Sequence, residues 1–198
     1  IREEAKHLPL VELFKNNTMT FVAGSSWQPD EDLFIEYFNQ HPEVKLVIAP
    51  HVIDENHLVE IIRKLKRPYV RYTRADEKNV RKADCLIIDC FGLLSSIYRY
   101  GEIAYIGGGF GVGIHNTLEA AVYGIPVIFG PKYQKFQEAI QLLEAKGAFS
   151  VKDYEELKTL IDRMLTDEVF LRESGMNASN YVTGNAGATD KIMSMINF

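Results

Sequence analysis

Residues 102–129 read EIAYIGGGFGVGIHNTLEAAVYGIPVIF, and this stretch decides the fold. A short apolar run, EIAYI, gives way to glycines, then to helical spacing over 116–123, then to a second apolar run, PVIF. Strand, loop, helix and strand in that order belong to a parallel sheet with its crossover helices. Five of the seven residues from 107 to 113 are glycine. Such a run means that the main chain passes close to something else, often an anionic ligand.

The same alternation extends outward in both directions. Apolar runs at 18–23 (TMTFVA), 45–49 (KLVIA), 69–72 (YVRY) and 85–89 (CLIID) predict further strands. Helical spacing appears at 30–39, 57–65 and 135–145, with Asp54 placed to cap the second of these. Continuous apolar strands between helices predict an α/β fold, a Rossmann-like parallel sheet with helices on both faces. From Asp153 onward the pattern is wholly helical, with Leu157, Leu160, Ile161 and Leu165 on one stripe. No repeat, low-complexity tract or long linker interrupts 1–198, so one domain is expected.

Composition narrows the function. Of 198 residues, 46% are hydrophobic and 25% charged, ordinary values for a globular protein. A net charge of -5 argues against non-specific nucleic-acid binding, which needs a basic face. No apolar run reaches the ~18 residues of a membrane span. The opening Ile1-Arg2-Glu3-Glu4 is acidic rather than a signal peptide, and the missing initiator Met suggests a fragment or processed product. Cys85 and Cys90 flank one apolar run and point to opposite faces, which disfavours a disulfide or a CxxC metal site. Buried reduced thiols fit a cytoplasmic protein.

In such sheets ligands bind outside the carboxyl ends of the strands. Those loops are Gly24-Ser25-Ser26-Trp27, Pro50-His51-Val52, Cys90-Phe91-Gly92, Gly107 to His115, and Gly130-Pro131-Lys132. They carry the polar groups that the strands lack. The glycines do not form a dinucleotide fingerprint, since GxGxxG fails at Ile114 from Gly109 and at Val112 from Gly107. P-loop and nucleophile-elbow motifs are absent too, as is metal-ligand spacing. The run is either a close strand–helix packing or an anion cradle opening the helix near Asn116, and the cradle is favoured.

Asn116 and Glu119 admit two readings. They form a capping-box variant, or Glu119 accepts hydroxyls of a ribose diol. His51 and His115 are anion donors or structural polar residues. Trp27 and Phe91 stack on a base or pack in the core.

The segments GSSWQPDED (24–32), IAPHVIDE (48–55), IIDCFGLLSSIY (87–98) and AYIGGGFGVGIHNTLEAAVYGIPVIFGPKYQKFQEA (104–139) carry a family resemblance. The chain resembles the C-terminal half of bacterial 3-deoxy-D-manno-octulosonic acid (Kdo) transferases, nearly to its end at NAGA (185–188). The resemblance implies a two-domain GT-B glycosyltransferase whose C-terminal domain, here 1–198, binds CMP-Kdo without metal or cofactor. It places Ser25, Ser26, His51, Phe91, Gly92, Gly107, Gly108, Gly109, His115, Asn116 and Glu119 at the donor. Pro50-His51-Val52 replaces the family's Pro-Arg-His, and Phe91-Gly92-Leu93 replaces Met-Gly-Glu, so those two contacts differ.

The N-terminal domain implied for the family lies outside this chain. It would supply a lipid A precursor site, a membrane-facing surface at the cytoplasmic side of the inner membrane, and the catalytic carboxylate. No catalytic residue is therefore expected here. Two other functions fit the residues: a GT-B enzyme using a UDP-sugar (a hexosaminyltransferase or an epimerase), and a non-catalytic nucleotide-binding module.

Overall fold

The computed structural model describes residues 5–196, with side chains through residue 185. The acidic opening at 1–4 lies outside that range, as do the NAGA side chains beyond Asn185. In chain order the elements are α1 (Pro9–Lys15), β1 (Met19–Ser26), α2 (Gln28–Gln40), β2 (Val44–Pro50), α3 (Glu55–Lys64), β3 (Tyr69–Arg71), α4 (Glu77–Val80) and β4 (Cys85–Ile87). There follow α5 (Leu94–Ile97), β5 (Ile103–Ile106), α6 (Leu118–Ala121), β6 (Val127–Phe129), α7 (Gln137–Glu144), β7 (Ala148–Ser150), α8 (Tyr154–Thr166) and α9 (Glu168–Ile196).

Seven strands form one parallel sheet in the order β3-β4-β2-β1-β5-β6-β7. Side chains alternate along each strand and feed two separate cores. Val22, Val47, Leu86, Ala104 and Val127 meet α1 (Phe14), α7 (Leu142) and α9 (Ala178) on one face. Phe21, Leu46, Cys85, Ile103 and Ile128 meet α2 (Phe34), α3 (Ile61) and α8 (Ile161) on the other. Full burial of one such side chain stabilises the fold by ~1.5–3 kcal/mol, so strands need cover on both faces. Cys85 belongs to the second core while Cys90 packs on the first; both are free thiols on opposite sides, as the spacing implied.

Local chemistry sets the element ends. Asp54 caps α3 by accepting from the His57 N–H at 3.0 Å, the capping role expected of it. The tail has one break: Asp167 leaves the helical path, with ψ 88°, and accepts from Phe170 N–H at 2.9 Å to start α9. The helix expected over 116–123 is a single turn, Leu118–Ala121. Tyr123 and Gly124 bond back three residues rather than four, to Ala120 and Ala121, and Gly124 turns out at φ +73°. The apolar run at 85–89 stops pairing early because Asp89 turns aside. Its carboxylate takes bonds from Thr73 and from Arg71 Nε at 2.8 Å. Those bonds hold it below the usual carboxylate range against the opposing effect of burial. Strand β7 and helix α1 complete the sheet and its first layer; neither was predicted, although Val11 and Phe14 of α1 are buried at helical spacing.

The sheet places the site. From β1 the chain moves to β2 on one side, while β5 lies on β1's other side and leads to β6. The connections diverge at the β1/β5 boundary, where α/β sheets open a crevice at their carboxyl edge.

Candidate functional site

The β1/β5 crevice gathers most of the candidate loops. Gly24 precedes Ser25, whose backbone sits at φ +52°, a conformation disfavoured for a residue with a side chain. This kink lets Ser26 O accept from His51 N–H at 2.9 Å, which ties the β1 loop to the β2 loop. His51 stacks on Trp27, at 4.7 Å between centroids, and on His115, at 4.4 Å. Trp27 Nε1–H donates to His115 Nε2 at 3.2 Å, closing a three-ring tier over the crevice.

The glycine run owes its composition to its own backbone. Gly107 passes β1 so closely that a Cβ there would stand 2.3 Å from Ser25 O. Gly108 has φ +95°, and a Cβ would lie 2.2 Å from Gly113 O. No side chain fits either position without moving main chain. The donors also turn inward. Gly107 N–H bonds Gly24 O, and the Gly111 and Gly113 N–H groups both bond Gly108 O. Gly108 N–H bonds Asp30 Oδ2 at 2.9 Å. The amides of Gly107, Gly108, Gly111 and Gly113 are thus spent within the chain, so a phosphate cradle cannot be built from these four. The close neighbour is the chain itself, and the one-turn α6 has no useful dipole.

Of the capping box only the Asn116 half is present, with its partner shifted: Asn116 caps a backbone N–H of α6, and Glu119 reaches back to no backbone N–H. The α6 N-cap is Thr117, which makes no side-chain cap bond. Asn116 Oδ1 accepts from Leu118 N–H at 3.0 Å, and its Nδ2 donates to Glu119 Oε1 at 3.2 Å. Glu119 reaches no backbone N–H in these bonds, so its carboxylate keeps acceptor capacity. Beside this pair a cleft of about 470 Å³ runs between residues 114–118 and the side chains of Phe136 and Glu138.

Three candidates stand apart from that cluster. Ser26 is fully buried and spends its hydroxyl on Glu31 Oε1 at 2.9 Å. Phe91 and Gly92, on the β4 loop, make no hydrogen bond or ring contact with the cluster, and Phe91 is 81% exposed. Base stacking by Trp27 is limited as well, since His51 occupies one of its faces.

Residues that the sequence did not single out build the floor. Asp30, buried in the first turn of α2, accepts from Trp27 N–H, Gly108 N–H and Tyr105 O–H at 2.9–3.0 Å. Burial pushes its carboxyl up from the usual range, and the three bonds oppose that. Glu31 is likewise raised by burial and is bonded to His57 Nε2 at 2.9 Å. Lys132 Nζ donates to Gly111 O at 3.1 Å, which brings a cation to the glycine loop. Its place after an apolar strand was the available signal. Asp30 gave none, because a carboxylate in a first helical turn is ordinary. Among the described residues no group of three or more His, Cys, Asp or Glu is arranged to hold a metal ion.

Sheet order and crevice together define the class: a doubly wound, Rossmann-like α/β domain with a ligand crevice at its switch point, the architecture of C-terminal GT-B domains. No family model matches the chain. The chain is 33% identical over 151 residues to a 3-deoxy-D-manno-octulosonic acid transferase of Aquifex aeolicus, covering 73% of this chain and 41% of that protein. A transferase of the same name from Rickettsia felis is 31% identical over 190 residues, 91% of this chain and 40% of its own length. The crystal structure of the C-terminal CMP-Kdo binding domain of WaaA from Acinetobacter baumannii superposes with a TM-score of 0.76 at 18% identity, covering 89% of this chain and 99% of that one. The chain belongs to the Kdo transferase family, as its C-terminal domain. It spans about two fifths of the length of the Aquifex and Rickettsia relatives.

Proposed function

We propose that this chain is the donor half of an enzyme that transfers Kdo from CMP-Kdo to a lipid A precursor at the cytoplasmic face of the inner membrane. The observation that carries the reading is the convergence of Ser25, His51, the 107–115 loop and the Asn116–Glu119 pair on the β1/β5 crevice. Catalysis from this side is electrostatic and positional. Lys132 and the His115 imidazole face the leaving phosphate, and Glu119 accepts hydroxyls of the ribose or of Kdo. Gly107, Gly108 and Gly109 shape the loop without donating from every amide. The acceptor and the base that deprotonates it belong to a domain outside these residues.

Exposed apolar side chains on the same edge, Phe91 at 81% and Val112 at 80%, support a face that another domain covers in the longer protein. Among the described residues no helix is long and apolar enough to cross a membrane. Membrane contact is assigned to the acceptor side, as the family resemblance implies.

Calorimetric titration with CMP, UMP and UDP tests the reading. CMP is expected to bind more tightly than either uridine nucleotide. A preference for UDP would move the chain to the UDP-sugar enzymes, and no nucleotide binding at all would remove the donor site.

A further inference from the structure

We propose that Trp27 is a positioning residue that locks His115 in its Nδ1–H tautomer, so that the crevice presents a neutral imidazole N–H to an anionic oxygen of the ligand. The indole nitrogen is a donor only. It meets His115 Nε2 at 3.2 Å, so that nitrogen must carry the lone pair and the ring proton sits on Nδ1. The Nε2–Cδ2 edge is the packed one, because Cδ2 lies 3.3 Å from where a Gly108 side chain would begin. Nδ1 is on the opposite edge and has no partner among the described residues. His115 also lines the cleft beside Asn116.

The ring is held from three sides. His115 N–H bonds Gly107 O at 3.2 Å, and His51 stacks on the imidazole face. Trp27 is fixed in turn by Asp30 Oδ2, which accepts from Trp27 N–H at 3.0 Å and from Gly108 N–H at 2.9 Å. One buried carboxylate thus joins the start of α2 to the loop that carries His115. Burial, and then His51, push the His115 pKa down, which keeps the ring neutral and its acceptor nitrogen available to Trp27. A protonated ring would set two donors against each other. Protonation would therefore cost the Trp27 bond, and a neutral donor needs no counter-charge beside it.

The ligand part of this inference rests on the donor-site reading; the tautomer part does not. Nitrogen-15 spectra of the histidine rings in the 198-residue chain report the tautomer directly, without ligand. Wild type is expected to show His115 protonated on Nδ1, and Trp27→Phe, which keeps an aromatic ring against His51, is expected to release it to a mixture. An Nε2–H tautomer in wild type overturns the proposal even if the variant fails to fold, and so does an unchanged tautomer in Trp27→Phe. Adding CMP should perturb His115 Nδ1, and Trp27→Phe should weaken CMP roughly fivefold while sparing cytidine, since affinity scales with the competent population. Should CMP bind wild type without touching His115, the ligand role of the ring falls. A failure of CMP to bind at all counts against the donor-site reading and leaves the tautomer result standing on the spectra alone.

Discussion

Glu119 gives the sharpest test at the scale of single residues. Its carboxylate is bonded to Asn116 and not to a backbone N–H, so its charge is not spent on capping α6. Glu119→Gln should leave the melting temperature near the wild-type value and weaken CMP-Kdo by roughly ten- to a hundredfold, the ~1.5–3 kcal/mol of a charge-assisted bond. A drop in melting temperature with unchanged affinity would return Glu119 to a structural role. The sequence made Asn116 and Glu119 visible because their spacing is regular. It hid Asp30, and it showed Trp27 without its partner, because Gly108 and His115 lie 78 and 88 residues away from them. It also misplaced the role of Ser26, which sits in the right loop with its hydroxyl turned in on Glu31. Which way a side chain points at a strand end depends on the φ of its neighbour, and Ser25 at φ +52° is not written in any periodicity.

Among the elements, the strands and long helices were legible and the one-turn pieces were not. Apolar runs buried on both faces have no competing pattern, so β1, β2 and β5 fall where their residues predict. Helix α6 fails because Gly124 ends it after one turn, and the glycine loop before it is shaped by contacts with β1 that sequence spacing does not encode. That loop should give the molecule an acid-sensitive edge. The His115 pKa is depressed by burial and then by His51, the titratable ring stacked on it. Above the ordinary imidazole value of about 6.5 the folded and unfolded chains are both neutral there, and the contribution of His115 is fully present. As pH falls below that value the unfolded chain takes the proton first, so stability is lost until the folded-state pKa is passed. Asp30 and Glu31, both raised by burial, run the other way: their contribution is lost as pH rises above the ordinary carboxylate range of about 4. Urea unfolding of wild type and His115→Gln across this range separates the two. Wild type should lose more stability than the variant on acidification below about pH 6.5, and parallel curves would contradict the assignment.

At the scale of the whole molecule, the alternation of apolar runs and helical spacing around 102–129 anticipated the parallel two-faced sheet, because strand–loop–helix–strand units with buried strands leave few other ways to close a core. Both faces of the sheet are covered by helices of this chain, α1, α7 and α9 on one side and α2, α3 and α8 on the other. Helices on both faces close each core, so the chain should unfold as one cooperative unit. The crevice is built from the same residues, and CMP should therefore bind to the chain by itself. Affinity should be modest, because a GT-B cleft closes between two domains and water is excluded only when it does. Transfer demands more: an acceptor hydroxyl held in line with the anomeric carbon and a base to take its proton. The family resemblance puts that base on the acceptor domain, and in the crevice the carboxylates of Asp30 and Glu31 are already buried in hydrogen bonds. The purified chain is thus expected to show a single urea transition and saturable CMP binding, with no Kdo transfer to a lipid A precursor. Adding the acceptor domain, in one polypeptide, should restore transfer. Turnover by the 198 residues alone would place the base on this side of the cleft and overturn the division of labour.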